Sequence, residues 1–217
     1  MNVNIKHLLA GVVTAAAMVG SAHAATFSID IYNFDANGIE ADAAATAANV
    51  GAQTLLETVS YSGPLDFSVD AANGLSTIGD FFASGSGSVS GLSAGVAGLT
   101  LSSGAGSSSA VFRTTTFLDI TANFASGFYG DIMHDDGISL FDDGILVTAA
   151  SAQPPTTQIT TAYSFDGGAF RLIYAAANGD PSVLNVSQVP LPATALLLVG
   201  AIGGLGFVSR RRRAAAA

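Results

Sequence analysis

The stretch Gly127–Val147, GFYGDIMHDDGISLFDDGILV, decides the fold class. It reads as three short strands, 127–133, 138–142 and 145–149, rich in aromatic and β-branched residues and interrupted by turn residues. Asp143-Gly144 is the two-residue signal of a type I′ hairpin, whose central residues both take positive φ. Asp135-Asp136-Gly137 separates the first two strands. In such a turn an aspartate caps backbone amides and the glycine supplies the left-handed conformation. The pattern continues on both sides. Strands are predicted at 111–121, 159–165, 169–176 and 182–187, with Asp166-Gly167-Gly168 and Asn178-Gly179-Asp180-Pro181 between successive members. Toward the N-terminus, 26–32 alternates apolar and polar, and 54–61 and 65–69 flank Ser62-Gly63-Pro64. Many short strands, regular turn signals and no long amphipathic helix predict an all-β body, an antiparallel sandwich or barrel. Two stretches are less regular. The alanine-rich 39–50 predicts a short helix. The Gly/Ser/Ala-rich 83–110 predicts some strand near Val96–Leu101, because so long a structureless loop is rare in a compact domain.

Charge and composition narrow the function. All 16 acidic residues lie between Asp30 and Asp180, where the only basic residues are Arg113 and Arg171, so this stretch carries a net charge of −14. That excludes nucleic acid as a partner and fits a divalent cation; it also keeps an exported protein soluble. The chain has no cysteine, so no disulfide staples it. The 25–187 segment is long enough for one domain with its own core.

Both ends read as targeting segments. Lys6 and His7 close a weakly basic opening, Leu8–Val19 is an apolar run too short to span a bilayer, and Ala22-His23-Ala24 is a small-x-small exit. This predicts a signal helix over 1–24, cleaved before Ala25. At the other end stand Val189, Pro190, Leu191, Pro192 and Ala193, then an apolar stretch to Val208 and Arg210, Arg211, Arg212 and Arg213. The two prolines separate the body from the apolar stretch. The run 193–208 is roughly 24 Å long as a helix, short against a hydrocarbon core of about 30 Å, and four glycines weaken it. The arginines would hold this end on the cytoplasmic side.

Proline motif, short apolar helix and arginine cluster together resemble the PEP-CTERM sorting signal of Gram-negative bacteria, in its Val-Pro-Leu-Pro-Ala version. The likeness covers 189–217 and departs from the parent pattern in lacking a glutamate between the prolines and in ending on Ala214–Ala217. It implies a sorting tail over 188–217 with a transmembrane helix at 193–208. It also implies a membrane protease of the exosortase type as partner, transient tethering in the inner membrane, and a cell-surface or extracellular destination. An ordinary tail anchor is the alternative.

Gly127–Val147 also resembles the core of the PA14-type β-sandwich. The likeness rests on Phe128 and Tyr129, Asp135-Asp136-Gly137, Leu140-Phe141, Asp143-Gly144 and Ile145–Val147, with 163–174 and 183–184 as closing strands; it covers about 111–187. It implies a sandwich, and in the lectins of that family a Ca2+ held by paired aspartates across a cis peptide, binding sugar hydroxyls. Carried over, Asp135 and Asp136 are the metal ligands, and Asn178, by its loop context, completes the set. Extracellular polysaccharide, and with it biofilm, is the partner implied. Adjacent carboxylates on a tight turn suit Ca2+, which takes six to eight hard oxygen ligands. A plain Asp-Asp-Gly turn in a purely structural surface protein is the competing reading. His134 reads as a solvated residue beside the turn.

No motif of a nucleophilic, metallohydrolase or phosphate-binding enzyme is present. Paired carboxylates such as Asp131 with Asp142 or Asp143 could serve glycoside cleavage, but the body has no tryptophan for an aromatic platform. The expectation is a non-enzymatic protein. Mass spectrometry of the protein from its host checks the two ends. Residues 1–24 should be missing, and the arginine tail should be missing only where the sorting protease is present. A tail kept in both backgrounds leaves only a tail anchor.

Overall fold

A computed structural model describes residues 25–71, 75–104, 112–125, 127–187 and 189–190. The signal segment with Ala22 and Ala24, and the tail from Leu191 through Pro192, Ala193 and Arg210–Arg213, lie outside the described residues. Ala25 is inside them, and its carbonyl accepts from the Gly63 amide at 3.1 Å. Among the described residues no helix is long and apolar enough to cross a membrane.

The chain runs β1 (Thr26–Asp35), α1 (Glu40–Ala43), α2 (Ala47–Ala52), β2 (Glu57–Ser62), β3 (Asp66–Val69), α3 (Ile78–Ser84), β4 (Ser88–Ser90) and α4 (Ala94–Ala97). It continues through β5 (Thr114–Phe124), β6 (Phe128–Asp135), β7 (Ile138–Asp142), β8 (Ile145–Leu146), β9 (Ile159–Phe165), β10 (Gly168–Ala176), β11 (Ser182–Val186) and β12 (Val189–Pro190). One sheet has the order β4-β2-β1-β5-β10-β7-β8. In the other, β6 pairs along its length with β9 on one edge, and on its other edge with β11 and then β12; β3 lies beyond β11. All of these pairings are antiparallel.

The two sheets face each other across one core. On β1 the inward residues Phe27, Ile29 and Ile31 are buried while Thr26 and Ser28 are exposed, the alternation of a half-buried strand. Facing residues from both sheets meet in the same cluster, among them Tyr61, Leu118, Leu140 and Leu172 from the larger sheet and Phe67, Ile132 and Leu184 from the smaller. β7 is buried on both faces, as are the central stretches of β5 and β10. The cause is a second cluster on the outer side of the larger sheet. There Ala45 and Val50, from the helical segment, cover Phe117, Phe141, Ile173 and Ala175.

Most predicted strands are present within a few residues, and the sandwich form is the one adopted. The hairpin β7–β8 closes through Asp143 (φ 46) and Gly144 (φ 81), the two positive φ values its sequence requires. Three expectations need correction. The predicted helix 39–50 is two short helices, broken at Ala44–Thr46, where the Thr46 hydroxyl caps the Asn49 amide of α2. Strand expected to 149 ends at Leu146, and Thr148–Ala150 forms a 3-10 turn. No strand of any length spans Val96–Leu101. Ser93 caps the Val96 amide and starts α4, and only Thr100 makes an isolated bridge, to Thr77.

α3 has no counterpart among the predicted elements. Thr77 and Asp80 cap each other's amides, and the turn they start inserts Ile78, Phe81 and Phe82 into the core. Phe81 lies flat between Phe67 (centroids 4.9 Å) and Tyr174 (5.6 Å, planes 10° apart). Phe81→Ala should therefore cost about 3–5 kcal/mol, whereas Ile145→Ala, at a side chain 74% exposed, should stay within about 0.5 kcal/mol. Chemical denaturation of both variants checks this; equal losses would contradict the packing described.

Candidate metal centre

β6 belongs to the smaller sheet and β7 to the larger, so the chain crosses the sandwich in the two residues Asp136 and Gly137. The crossing is tight. A Cβ on Gly137 would collide with the Gln153 carbonyl oxygen, and the Gly137 carbonyl accepts from the Ala175 amide at 2.9 Å. The Asp135–Asp136 peptide bond is cis. The carbonyls of both aspartates are held by buried side chains: the Tyr174 hydroxyl donates to that of Asp135, and His134 Nδ1 lies 2.6 Å from that of Asp136. A carbonyl can only accept, so Nδ1 carries the proton and Nε2 is left as an acceptor. Nε2 is buried without a hydrogen-bond partner among the described residues.

The Asp136 carboxylate meets the loop that joins β10 to β11. Asp136 Oδ2 accepts from the Ala177 amide at 2.7 Å and Oδ1 from Asn178 Nδ2 at 3.1 Å. Asn178 takes a left-handed φ of 60°, followed by Gly179 at 103°. A third segment backs this loop: the Ser102 hydroxyl donates to the Gly179 carbonyl at 3.0 Å, and a Cβ on Gly104 would come within 2.7 Å of the Asn178 carbonyl oxygen. Asp136 is fully buried and Asp135 is 8% exposed.

Two buried carboxylates side by side are costly as anions. Burial pushes the Asp135 carboxyl up to about 6, with the Gln158 backbone opposing. Burial pushes Asp136 up to about 8. The backbone of Ala177 and of Thr156 opposes this, and the neighbouring Asp135 charge adds to it. Among the described residues no basic side chain relieves them. Among the described residues the only arginines are Arg113, 4.0 Å from Asp35, and Arg171, which holds Asp119 with two bonds of 2.8 Å; no lysine is described. Burial also holds His134 below the usual histidine range, so it adds no positive charge near neutrality.

Structure thus gathers the predicted residues: Asp135 and Asp136 are adjacent at the crossing, and Asn178 touches Asp136. The donor chemistry fits a hard cation, with two carboxylates and an amide whose oxygen would face Asp136 after a half-turn of the side chain. Among the described residues no group of three or more His, Cys, Asp or Glu side chains converges. Most of a calcium shell would therefore come from carbonyls, water or ligand hydroxyls. His134 is not solvated as expected but fully buried. The period-2 series Phe128, Ile132, His134 on β6 places it on the core face, and that is the signal the sequence offers. Tyr174 carries no signal of a site residue, because it reads as one more strand aromatic. The carboxylates of Asp142 and Asp143 are spent on the amides of Asp166 and Ala169, and Asp131 lies in the other sheet.

No protein-family model matches this chain, and no curated protein does. Two solved structures are similar in form. The PA14 domain of the antifreeze protein MpAFP is 15% identical, with 75% of this chain and 80% of that one covered at a TM-score of 0.48. A PA14 sugar-binding domain from an RTX adhesin is 11% identical, with 76% and 96% covered and the same TM-score.

The buried pair makes stability depend on pH. Both carboxyls stay protonated in the folded chain at pH values where those of the unfolded chain, with pKa near about 3.9, are ionised. Their contribution is full below the unfolded value and lost as pH rises through about 6 and about 8. In EDTA the melting temperature should fall by several degrees between pH 5 and 8, and Asp136→Asn should flatten the upper part of that slope. A profile identical in protein and variant would show that Asp136 carries no such linkage.

Proposed function

We propose that this is an exported, non-enzymatic carbohydrate-binding protein that holds Ca2+ at Asp135 and Asp136, with Asn178 as third ligand. The observation that carries the reading is the buried aspartate pair, which has no basic partner among the described residues. A chain that places two carboxylates there either keeps them protonated or matches them with a cation. Bound Ca2+ would supply the positive charge and the open coordination positions that sugar hydroxyls can fill. The protein's part is to fix the donors: His134 and Tyr174 hold the two carbonyls, and the loop at Ala177–Gly179 brings the amide to the carboxylate.

The end segments support export through a signal peptide, with cleavage before Ala25, and sorting by an exosortase-type protease acting on the tail. The inner membrane is then a temporary location and the cell surface or extracellular matrix the final one, where polysaccharide is the ligand class. A net charge of −14 over Asp30–Asp180 agrees with a cation-dependent surface protein and not with a nucleic-acid binder.

One observation favours a second reading. Both Asp136 oxygens already accept hydrogen bonds, so the residue could act as a pin between two loops in a purely structural surface protein. Calorimetric titration of the purified protein with CaCl2 separates the two. The calcium reading expects binding heat that disappears in Asp135→Ala and Asp136→Ala, with affinity about 10-fold or more weaker in Asn178→Ala. A glycan array with and without EDTA then tests the ligand class. No heat in the unmodified protein sinks the metal centre; calcium heat without any EDTA-sensitive glycan leaves a metal-stabilised scaffold.

A further inference from the structure

The point where the chain leaves the sandwich is held more firmly than a linker needs. After β11 the Ser187 amide donates to the Asp131 carbonyl at 2.9 Å. The Ser187 hydroxyl accepts from the Asp131 amide at 2.9 Å and donates back to the Asp131 carbonyl at 3.1 Å. The Ser187 carbonyl accepts from the Tyr163 hydroxyl at 3.1 Å, a buried side chain reaching from β9 on the far edge of β6. Gly130 makes the approach feasible, because a Cβ there would overlap the Ser187 carbonyl oxygen. Beyond Ser187 the pairing resumes, with Val189 opposite Tyr129 and Pro190 opposite Phe128. Proline at the second place suits a strand whose outer edge has no partner among the described residues.

A protease takes its substrate as an extended strand with free backbone edges, so paired chain is cut only after local opening. Val189 and Pro190 are the first two residues of the proposed sorting motif, yet their backbone belongs to the sheet. We infer that the exit is a clamp that carries the fold through Pro190, so that tail processing cuts at or beyond Leu191. The mature protein then keeps β12 as its last strand. This rests on reading 188–217 as a removable tail; the clamp itself does not.

Native-state digestion of the purified full chain with proteinase K, with cut sites assigned by mass, tests the clamp without the sorting enzyme. The first C-terminal cuts should fall at or beyond Leu191, with bonds from Ser187 to Pro190 cleaved on the order of ten times more slowly than in a synthetic peptide of the same sequence. Tyr163→Phe, which removes one bond to Ser187, and Gly130→Ala, which displaces its carbonyl, should each move early cuts upstream of Leu191. Cleavage at the peptide's rate in the unmodified protein, or an unchanged pattern in both variants, overturns the clamp. The C-terminus of the protein from its host gives the second arm. An end at or beyond Leu191 supports the inference, and an end at Pro190 or earlier refutes it. A full-length chain refutes the removable tail and leaves the clamp to the digestion.

Discussion

The crossing at Asp136-Gly137, with two carboxylates buried where the chain passes from one sheet to the other, sets the terms for the rest of the molecule. Among the described residues, seven strands on one side and five on the other are joined here by Asp136 and Gly137. Tyr174 holds the carbonyl of Asp135 and His134 that of Asp136, while the Asp136 carboxylate is held by the loop at Ala177–Gly179. Tyr174 in turn stacks on Phe81, which stacks on Phe67. The geometry of the polar centre is thus fixed by the aromatic packing of the core, and a loosened core would loosen the donors.

What makes the centre unusual is the shortage of positive charge. An acidic residue buried in a fold is ordinarily matched by arginine or lysine, as Asp119 is by Arg171. With both described arginines placed on other aspartates, Asp135 and Asp136 have only hydrogen bonds and each other. Protons satisfy them at low pH. Near neutrality a hard cation is the natural substitute, and the amide of Asn178 is the neutral oxygen donor within reach.

Much of this is legible in the chain. Alternation over 26–32 and the Asp143-Gly144 pair specify β1 and the β7–β8 hairpin directly. The aspartate pair stands out because its turn is flanked by clear strands. Which sheet each strand joins is not legible, because the same residue types make two kinds of connection. Asp143-Gly144 closes a hairpin within a sheet, whereas Ser62-Gly63-Pro64 and Asp166-Gly167 carry the chain between sheets. α3 is hidden because its capping pair Thr77 and Asp80 borders a stretch of small residues that reads as loop, and α4 because four small residues have no apolar period. β12 is hidden because prolines mark the end of regular structure, and only an unpaired outer edge makes one tolerable in a strand. His134 reads as part of the turn by its neighbours, although its period along β6 puts it in the core.

The proposed function requires that Asp135 and Asp136 form a cation centre and not a protonated structural pin. Crystals of the protein grown with CaCl2, measured at a long wavelength where calcium scatters anomalously, test it directly. A calcium centre gives an anomalous peak at about 2.3–2.6 Å from carboxylate oxygens of both aspartates, with the Asn178 amide turned so that its oxygen faces the ion. The contradicting result is a map with no peak at the crossing, and Asp136 still bonded to the Ala177 amide and Asn178 Nδ2.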